Sequence, residues 1–405
     1  MSQAIITRKK QLQIVKEKHD QLYLVMKENE IDCWLIFVRE TAANPDPVMD
    51  HVIGGDIVWE SAFLFISKNN IFTKIAIVGN FDAPAEKRKD IWDSVISYKE
   101  GITQPLLEQI KRFNPRKIAL DYSEDDVVAD GLSHGMFIKI SKILAEYIDR
   151  FVSAASLIRV IRGKKTATEI ELITNACKLT EKINNNISRE IKIGMSESEI
   201  QQLFYDEMDK FGVVEAWQKD SCPAIDAGPD KEVGHVGPLA TSITKRGHTL
   251  HNDFGVKLQG YCSDLQRMWF FGKQEELPDE LVHAFETVRL AILKASEYIK
   301  PGLTGYSVDK IARDYVISRG YDEYAHGLGH QLGTLAHDGG VLLGPLWERY
   351  GDTPKGIVEE GNVFTLELHV KTKNFGVVSL EENIIVTKDG CDFLVPPQTQ
   401  FIFVE

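Results

Sequence analysis

Two pairs of carboxylates and a histidine-rich segment are the residues of this chain whose types and spacing could do chemistry. The first pair lies in Thr249–Phe271, where two strand-like stretches flank Gln259-Gly260, a dipeptide suited to a hairpin turn. With the turn there, Gly255 falls opposite Asp264, and Asp253 becomes its diagonal neighbour on the same face. Diagonal neighbours lie about 7–8 Å apart, close enough to share an ion. On an exposed sheet they would be ordinary solvated charges. Phe254, Val256, Met268 and Phe270 indicate a largely covered one. The second pair is Glu367, in a strand-like run from Val363 to Leu368, and Glu381, in another from Val377 to Val386. Folding symmetrically about Asn374 sets these two opposite each other, with Glu382 on the other face as a surface charge. Buried acids that face one another repel unless a cation lies between them.

The third feature runs from His326 to Gly340 and holds His326, His330 and His337, three of the chain's eleven histidines. It is not the helical zinc-protease motif. Gly327 occupies the place of that motif's glutamate and Ala336 the place of its last histidine, and the glycines at 327 and 329 weaken a helix. They suit a tight backbone path beside a site, with one imidazole as a metal ligand and others as proton carriers.

The elements that must hold these groups fall into two halves. Apolar residues at helical spacing run from Arg8 to Glu30, followed by strand-like Cys33–Val38, Ser61–Ile66 and Phe72–Val78, with helical patterns near Gln104–Arg112 and Met136–Tyr147. This alternation predicts an α/β domain over residues 1–158. After the basic stretch Ile158–Lys165, Thr166–Glu169 has the form of a capping box opening a helix. Helical patterns at Ser196–Phe211 and Asp279–Ile299, with strands between and after them, predict an α+β catalytic domain over 159–405.

Composition narrows the function classes. The 405 residues are 43% hydrophobic and 26% charged, so a core needs no staples. The five scattered cysteines form no CxxC pair, which argues against a structural zinc site or a disulfide framework and for a reducing compartment. Met1–Lys10 precedes no apolar leader and no apolar run is long enough to span a bilayer, so the expected location is the cytoplasm, with no membrane partner. A formal charge of −13 disfavours nucleic acid.

In this order, over about residues 160–395, these motifs resemble the pita-bread metallopeptidase family, in its Xaa-Pro aminopeptidase, prolidase and creatinase branch. The resemblance rests on the Asp253-to-Asp264 interval, the GHxxG around His330 and the LEEN around Glu381. It implies a C-terminal pita-bread domain, preceded by an α/β creatinase-type domain, holding two divalent metal ions on Asp253, Asp264, His330, Glu367 and Glu381. The ions are expected to be Mn(II), with Co, Zn or Fe as alternatives. By the same resemblance His337, His235 and His326 contact substrate, and Arg267 is structural. Four carboxylates balance two divalent ions, and a water between the ions loses a proton near neutral pH to attack the scissile carbonyl. Glu367 would pass that proton to the leaving nitrogen, with His337 and His235 stabilising the tetrahedral intermediate.

The implied function is a Xaa-Pro aminopeptidase acting on peptides with proline second, with a Xaa-Pro dipeptidase and a metalloenzyme for a non-peptide small molecule as alternatives. Three departures from the family pattern bear on specificity. Leu368-His369 follows Glu367 where Pro-Gly is usual, Ser379 stands where an arginine often binds substrate, and Asp338 replaces the usual Glu after His337. A homodimer is expected, with the polar loop Asp46–His51 a candidate for shaping a neighbouring subunit's pocket.

Overall fold

The structure is a computed structural model that describes residues 3–230 and 237–405. The chain divides into two compact units, one of Thr7–Thr166 and one of Ala167–Glu405 together with Met1–Ile6.

The first unit is a mixed six-stranded sheet with helices. Its strands, β1 (Cys33–Val38), β2 (Ser61–Lys68), β3 (Ile71–Gly79), β4 (Ser94–Tyr98), β5 (Ile118–Leu120) and β6 (Phe151–Ser153), run in the order β4-β3-β2-β1-β5-β6. Every residue of β1 is buried, as expected of a central strand covered on both faces. The helices are α1 (Arg8–Glu28), α2 (Ala83–Lys89), α3 (Thr103–Phe113), α4 (His134–Ile143) and α5 (Ala155–Gly163). Helix α5 carries the chain past the expected boundary at residue 158. The buried Lys18 of α1 donates to the carbonyls of Ile161 (2.6 Å) and Lys164 (2.9 Å), binding that segment into the first unit. Residues 3–6 belong instead with the second unit, because Gln3 and Ala4 carbonyls accept from the turn amides of Gln259 and Gly260 (both 2.8 Å). The Asp46–His51 segment is no free polar loop. Val48 and Met49 join the unit's hydrophobic core, and Asp46 and His51 are buried.

In the second unit, helices α6 (Ala167–Ile187) and α7 (Glu197–Phe211) precede α8 (Asp279–Tyr298) and α9 (Gly305–Ser318). Helix α7 opens on a capping box, with Ser196 and Glu199 satisfying each other's backbone amides, and closes on Gly212 at φ 64°. The strands are β7 (Val214–Glu215), β8 (Ala224–Ala227), β9 (Thr249–Phe254), β10 (Val256–Leu258), β11 (Tyr261–Cys262), β12 (Leu265–Phe271), β13 (Val363–Lys371), β14 (Val377–Val386), β15 (Cys391–Phe393) and β16 (Ile402–Val404). Strands β13-β14-β12-β9-β8 lie side by side, with β15 on β14 and β16 on β12. One apolar cluster joins this sheet to α8 and α9, another joins it to α6 and α7. Strand β12 is therefore buried along its whole length. No helix among the described residues is long and apolar enough to cross a membrane.

Candidate metal centre

Strand register assembles the acids. Lys257 pairs with Cys262 and Leu258 with Tyr261, so the turn is at Gln259-Gly260, where φ values of 49° and 82° suit the glycine. In the same register Asp253 of β9 faces Gln266 of β12, which sets Asp264, two residues away, on the same face. Glu367 of β13 faces Glu381 of β14, and Glu381 faces Gln266. Four neighbouring strands thus present Glu367, Glu381, Gln266 and Asp253 in one row, with Asp264 beside it.

His330 enters from an extended segment beside β13. The Thr365 amide donates to the His330 carbonyl (3.0 Å) and the Glu367 amide to Leu328 (2.7 Å). This close approach explains the glycine at 329, where a Cβ would meet the Thr365 carbonyl oxygen at 1.9 Å. His330 Nδ1 lies 3.3 Å from the Gln331 carbonyl, to which it donates, so Nε2 offers its lone pair. That atom is 3.9 Å from Asp264 Oδ2, 3.6 Å from Glu367 Oε1 and 4.0 Å from Glu381 Oε1. Asp264, His330 and Glu381 can each offer one donor atom, all within 4.8 Å of one another.

The electrostatics call for a cation. Asp253 Oδ1, Asp264 Oδ1 and Glu381 Oε1 are buried and receive no hydrogen bond. Burial, then the neighbouring carboxylates, drive the pKa values of Asp264 and Glu381 well up. Burial lifts Asp253 to about 6 and Glu367 to about 7, although His251 opposes both shifts. His330 is pushed down to about 3, chiefly by burial and then by His337, and so stays neutral. Neutral imidazole and hard carboxylate oxygens are a donor set for divalent transition ions. Metal–ligand bonds of about 2.0–2.2 Å set adjacent ligand atoms about 3–3.5 Å apart, close to the spacing around His330 Nε2. The residues present therefore fit bound metal.

Neighbouring groups hold these acids in place. Asn383 clamps the backbone of Asp264, donating to its carbonyl (2.6 Å) and accepting from its amide (3.2 Å). Arg267 is fully enclosed. Its Nη1 donates to the carbonyls of Gln266 (2.9 Å) and Glu381 (3.1 Å) and to Glu382 Oε1 (3.2 Å), while Nε and Nη2 reach Glu181. Glu382 is thus no surface charge: it is 1% exposed and paired, because the sheet is covered on that face too. Burial, against the pull of Arg267, raises its pKa to about 7.

The other histidines divide. His337 meets His330 edge-on, with ring centroids 4.3 Å apart. His326 instead contacts His369, which lies two residues beyond Glu367, at 3.0 Å (Nε2···Nδ1). His235 lies outside the described residues. Sequence reasoning missed His251, Gln266, Asp226 and the pairing partner His369. Period-2 alternation from Asp253, Asp264 and Glu367 was the available signal for three of them. His251 sits between Asp226 Oδ2 (3.1 Å) and Gln266 Oε1 (3.0 Å). Burial lowers its pKa, but the Asp226 hydrogen bond and charge outweigh that and raise it.

Comparison with known proteins agrees with this geometry. Residues 171–388, more than half the chain, match the model of metallopeptidase family M24, and the chain belongs to that family. It is a metal-dependent peptidase, and its family binds two divalent ions. A Xaa-Pro dipeptidase of Pyrococcus horikoshii is 28% identical over 297 residues, covering 73% of this chain and 80% of that one. Among solved structures, a Xaa-Pro dipeptidase from Bacillus anthracis superposes with a TM-score of 0.73 at 22% identity, covering 96% of this chain and all of the other. An X-Pro aminopeptidase from Thermotoga maritima gives 0.68 at 24% identity, covering 95% and 99%. These likenesses establish the pita-bread fold with its N-terminal domain.

Proposed function

We propose that the protein is a Xaa-Pro aminopeptidase, removing the N-terminal residue before proline, with Asp253, Asp264, His330, Glu367 and Glu381 as ligands of two Mn(II) ions. The observation that carries this reading is the row of acids, two of them buried, gathered around Nε2 of His330. Bound divalent ions supply Lewis acidity and bring the pKa of a water near neutrality. Glu367 moves the proton. Its Oε2 accepts from Gln266 Nε2 (3.2 Å), and the carboxylate would take the water's proton and pass it to the leaving nitrogen. His337, beside His330, stabilises the tetrahedral oxyanion, and His326 and His235 contact the peptide.

The aminopeptidase is favoured over the dipeptidase by what lies next along the sheet. Beyond Glu367 and Glu381 come His369 and Ser379, which face each other in register. Burial and then the neighbouring His326 push the His369 pKa to about 3, so the pair carries no positive charge. Of the two arginines that act on His326, Arg313 is committed to both oxygens of Asp309 (2.8 and 2.9 Å), while Arg349 donates to the Ala325 carbonyl and the Tyr350 hydroxyl. A free dipeptide would present its carboxylate to the neutral His369–Ser379 pair rather than to an arginine at position 379. The name of the Pyrococcus relative supports the dipeptidase alternative.

We further take the enzyme to be a homodimer, and to work in the cytoplasm, the second reading being supported by five cysteines that are all free. The deciding experiment strips the protein with chelator, restores Mn(II), and follows release of the first residue from Xaa-Pro dipeptides, their C-terminal amides and Xaa-Pro tripeptides, with Xaa-Ala controls. The expected result is Mn(II)-dependent cleavage of proline peptides, with tripeptides and amides ahead of free dipeptides. Preference for free dipeptides would install the dipeptidase. No cleavage, with about two metals bound per chain, would move the weight to a non-peptide small molecule.

A further inference from the structure

Gln266 occupies the middle of the acid row yet carries no charge. Its Oε1 accepts from Ser379 Oγ at 2.5 Å and faces His251 Nε2 at 3.0 Å, and its Nε2 donates to Glu367 Oε2 at 3.2 Å. Behind His251, Asp226 Oδ2 lies 3.1 Å from Nδ1. Turning the amide over would aim its oxygen at the Glu367 carboxylate, a repulsive contact, so Glu367 fixes the orientation in which the NH2 faces it. All the members except Asp226 and Glu367, which are partly covered, are buried. A buried, closed polar network of this kind holds its members in a single arrangement.

We infer that Gln266 is the positioning residue that aims Glu367, and that Asp226, His251 and Ser379 act through it by locking its amide. This rests on the reading of Glu367 as the proton carrier. With Oε2 tethered, the carboxylate is held in one orientation toward the reacting water. Ser379 has its hydroxyl turned inward to the network.

The test compares wild type with Gln266→Leu, Ser379→Ala and Asp226→Asn, each loaded with Mn(II), on the tripeptide that wild type cleaves best. Q266L is expected to lower kcat about 10–100-fold, the usual effect of losing an outer partner of a metal ligand. KM should stay within about threefold and metal content at two per chain. S379A, the milder change, should lower kcat in the same direction. D226N should add nothing in the Q266L background, since both act on one element. A crystal structure of metal-loaded Q266L should show the Glu367 carboxylate rotated while Asp253, Asp264 and Glu381 keep their places. Unchanged kcat, full recovery in excess Mn(II), independent multiplication of the D226N and Q266L effects, or an unmoved Glu367 would each overturn the inference. Should Q266L not fold, S379A alone decides it, by kcat and by the Glu367 position. Wild type inactive on every peptide would count against the peptidase specificity, while the crystallographic readout would still judge Gln266.

Discussion

In the proposed mechanism Glu367 carries two duties, ligand and proton carrier, whereas Glu381, 1% exposed and walled in by the sheet, serves only as a ligand. Their amide variants should therefore differ. Glu367→Gln keeps the shape and most ligand capacity but removes the base, so kcat should fall by about 10²–10⁴ with metal largely retained. Glu381→Gln should instead lose metal, and its activity should recover in part as Mn(II) is raised. Atomic absorption beside steady-state kinetics checks both, and equal metal loss in the two variants would remove the distinction. At this scale the facing of Glu367 and Glu381 could be read from the sequence, because hairpin register is arithmetic once the turn is placed. The inward groups around them could not. Gln266 is a polar residue in the mainly apolar β12 and His251 one of several in β9, and only the neighbouring strands reveal what they touch.

Strand β12 is the element on which the centre depends, since it pairs with β9 on one side and β14 on the other. Arg267 fastens that join by bonding both a β14 carbonyl and the buried Glu382. Removing its guanidinium leaves a buried carboxylate without its partner, which costs about 3–5 kcal/mol. Arg267→Ala should therefore lower the melting temperature by roughly 6–20 °C, at about 2–4 °C per kcal/mol. Adding Glu382→Gln should restore part of the loss, because the orphaned charge is then gone. Thermal melts followed by circular dichroism measure both, and a double variant no more stable than R267A would locate the effect in the carbonyl contacts. Glu382 was unreadable as a buried residue for a definite reason. Alternation assigns a side chain to a face, but it does not say whether that face is covered, and here the α6 side supplies Glu181 as well.

At the scale of the whole molecule, strong local patterns such as α1, β1 and α8 were legible, and short strands such as β5 and β6, three residues each, were not, being shorter than any periodicity. The membership of residues 3–6 rests on backbone hydrogen bonds to Gly212 and to the Gln259-Gly260 turn, more than 200 residues away, which no local signal encodes. The carboxylate row also links folding to pH and metal across the second unit. Without metal, Asp253 and Glu367 ionise in the fold only near 6 and 7, against ordinary values of 3.8 and 4.5. A carboxyl raised in this way binds its proton more tightly folded than unfolded, so stability falls as pH rises through the window from about 4 to about 7. Metal reverses the sign, because the ligands must be ionised to bind it. Metal-stripped protein should melt lower at pH 7 than at pH 5, and Mn(II) at a hundred times its dissociation constant should add about 2.7 kcal/mol, roughly 5–10 °C, at pH 7. The gain from Mn(II) should shrink as pH falls toward 5, where protons compete for the same oxygens. Melting curves at both pH values, with chelator and with Mn(II), decide it, and a metal effect that did not grow with pH would mean that these four carboxylates are not the groups through which metal stabilises the fold.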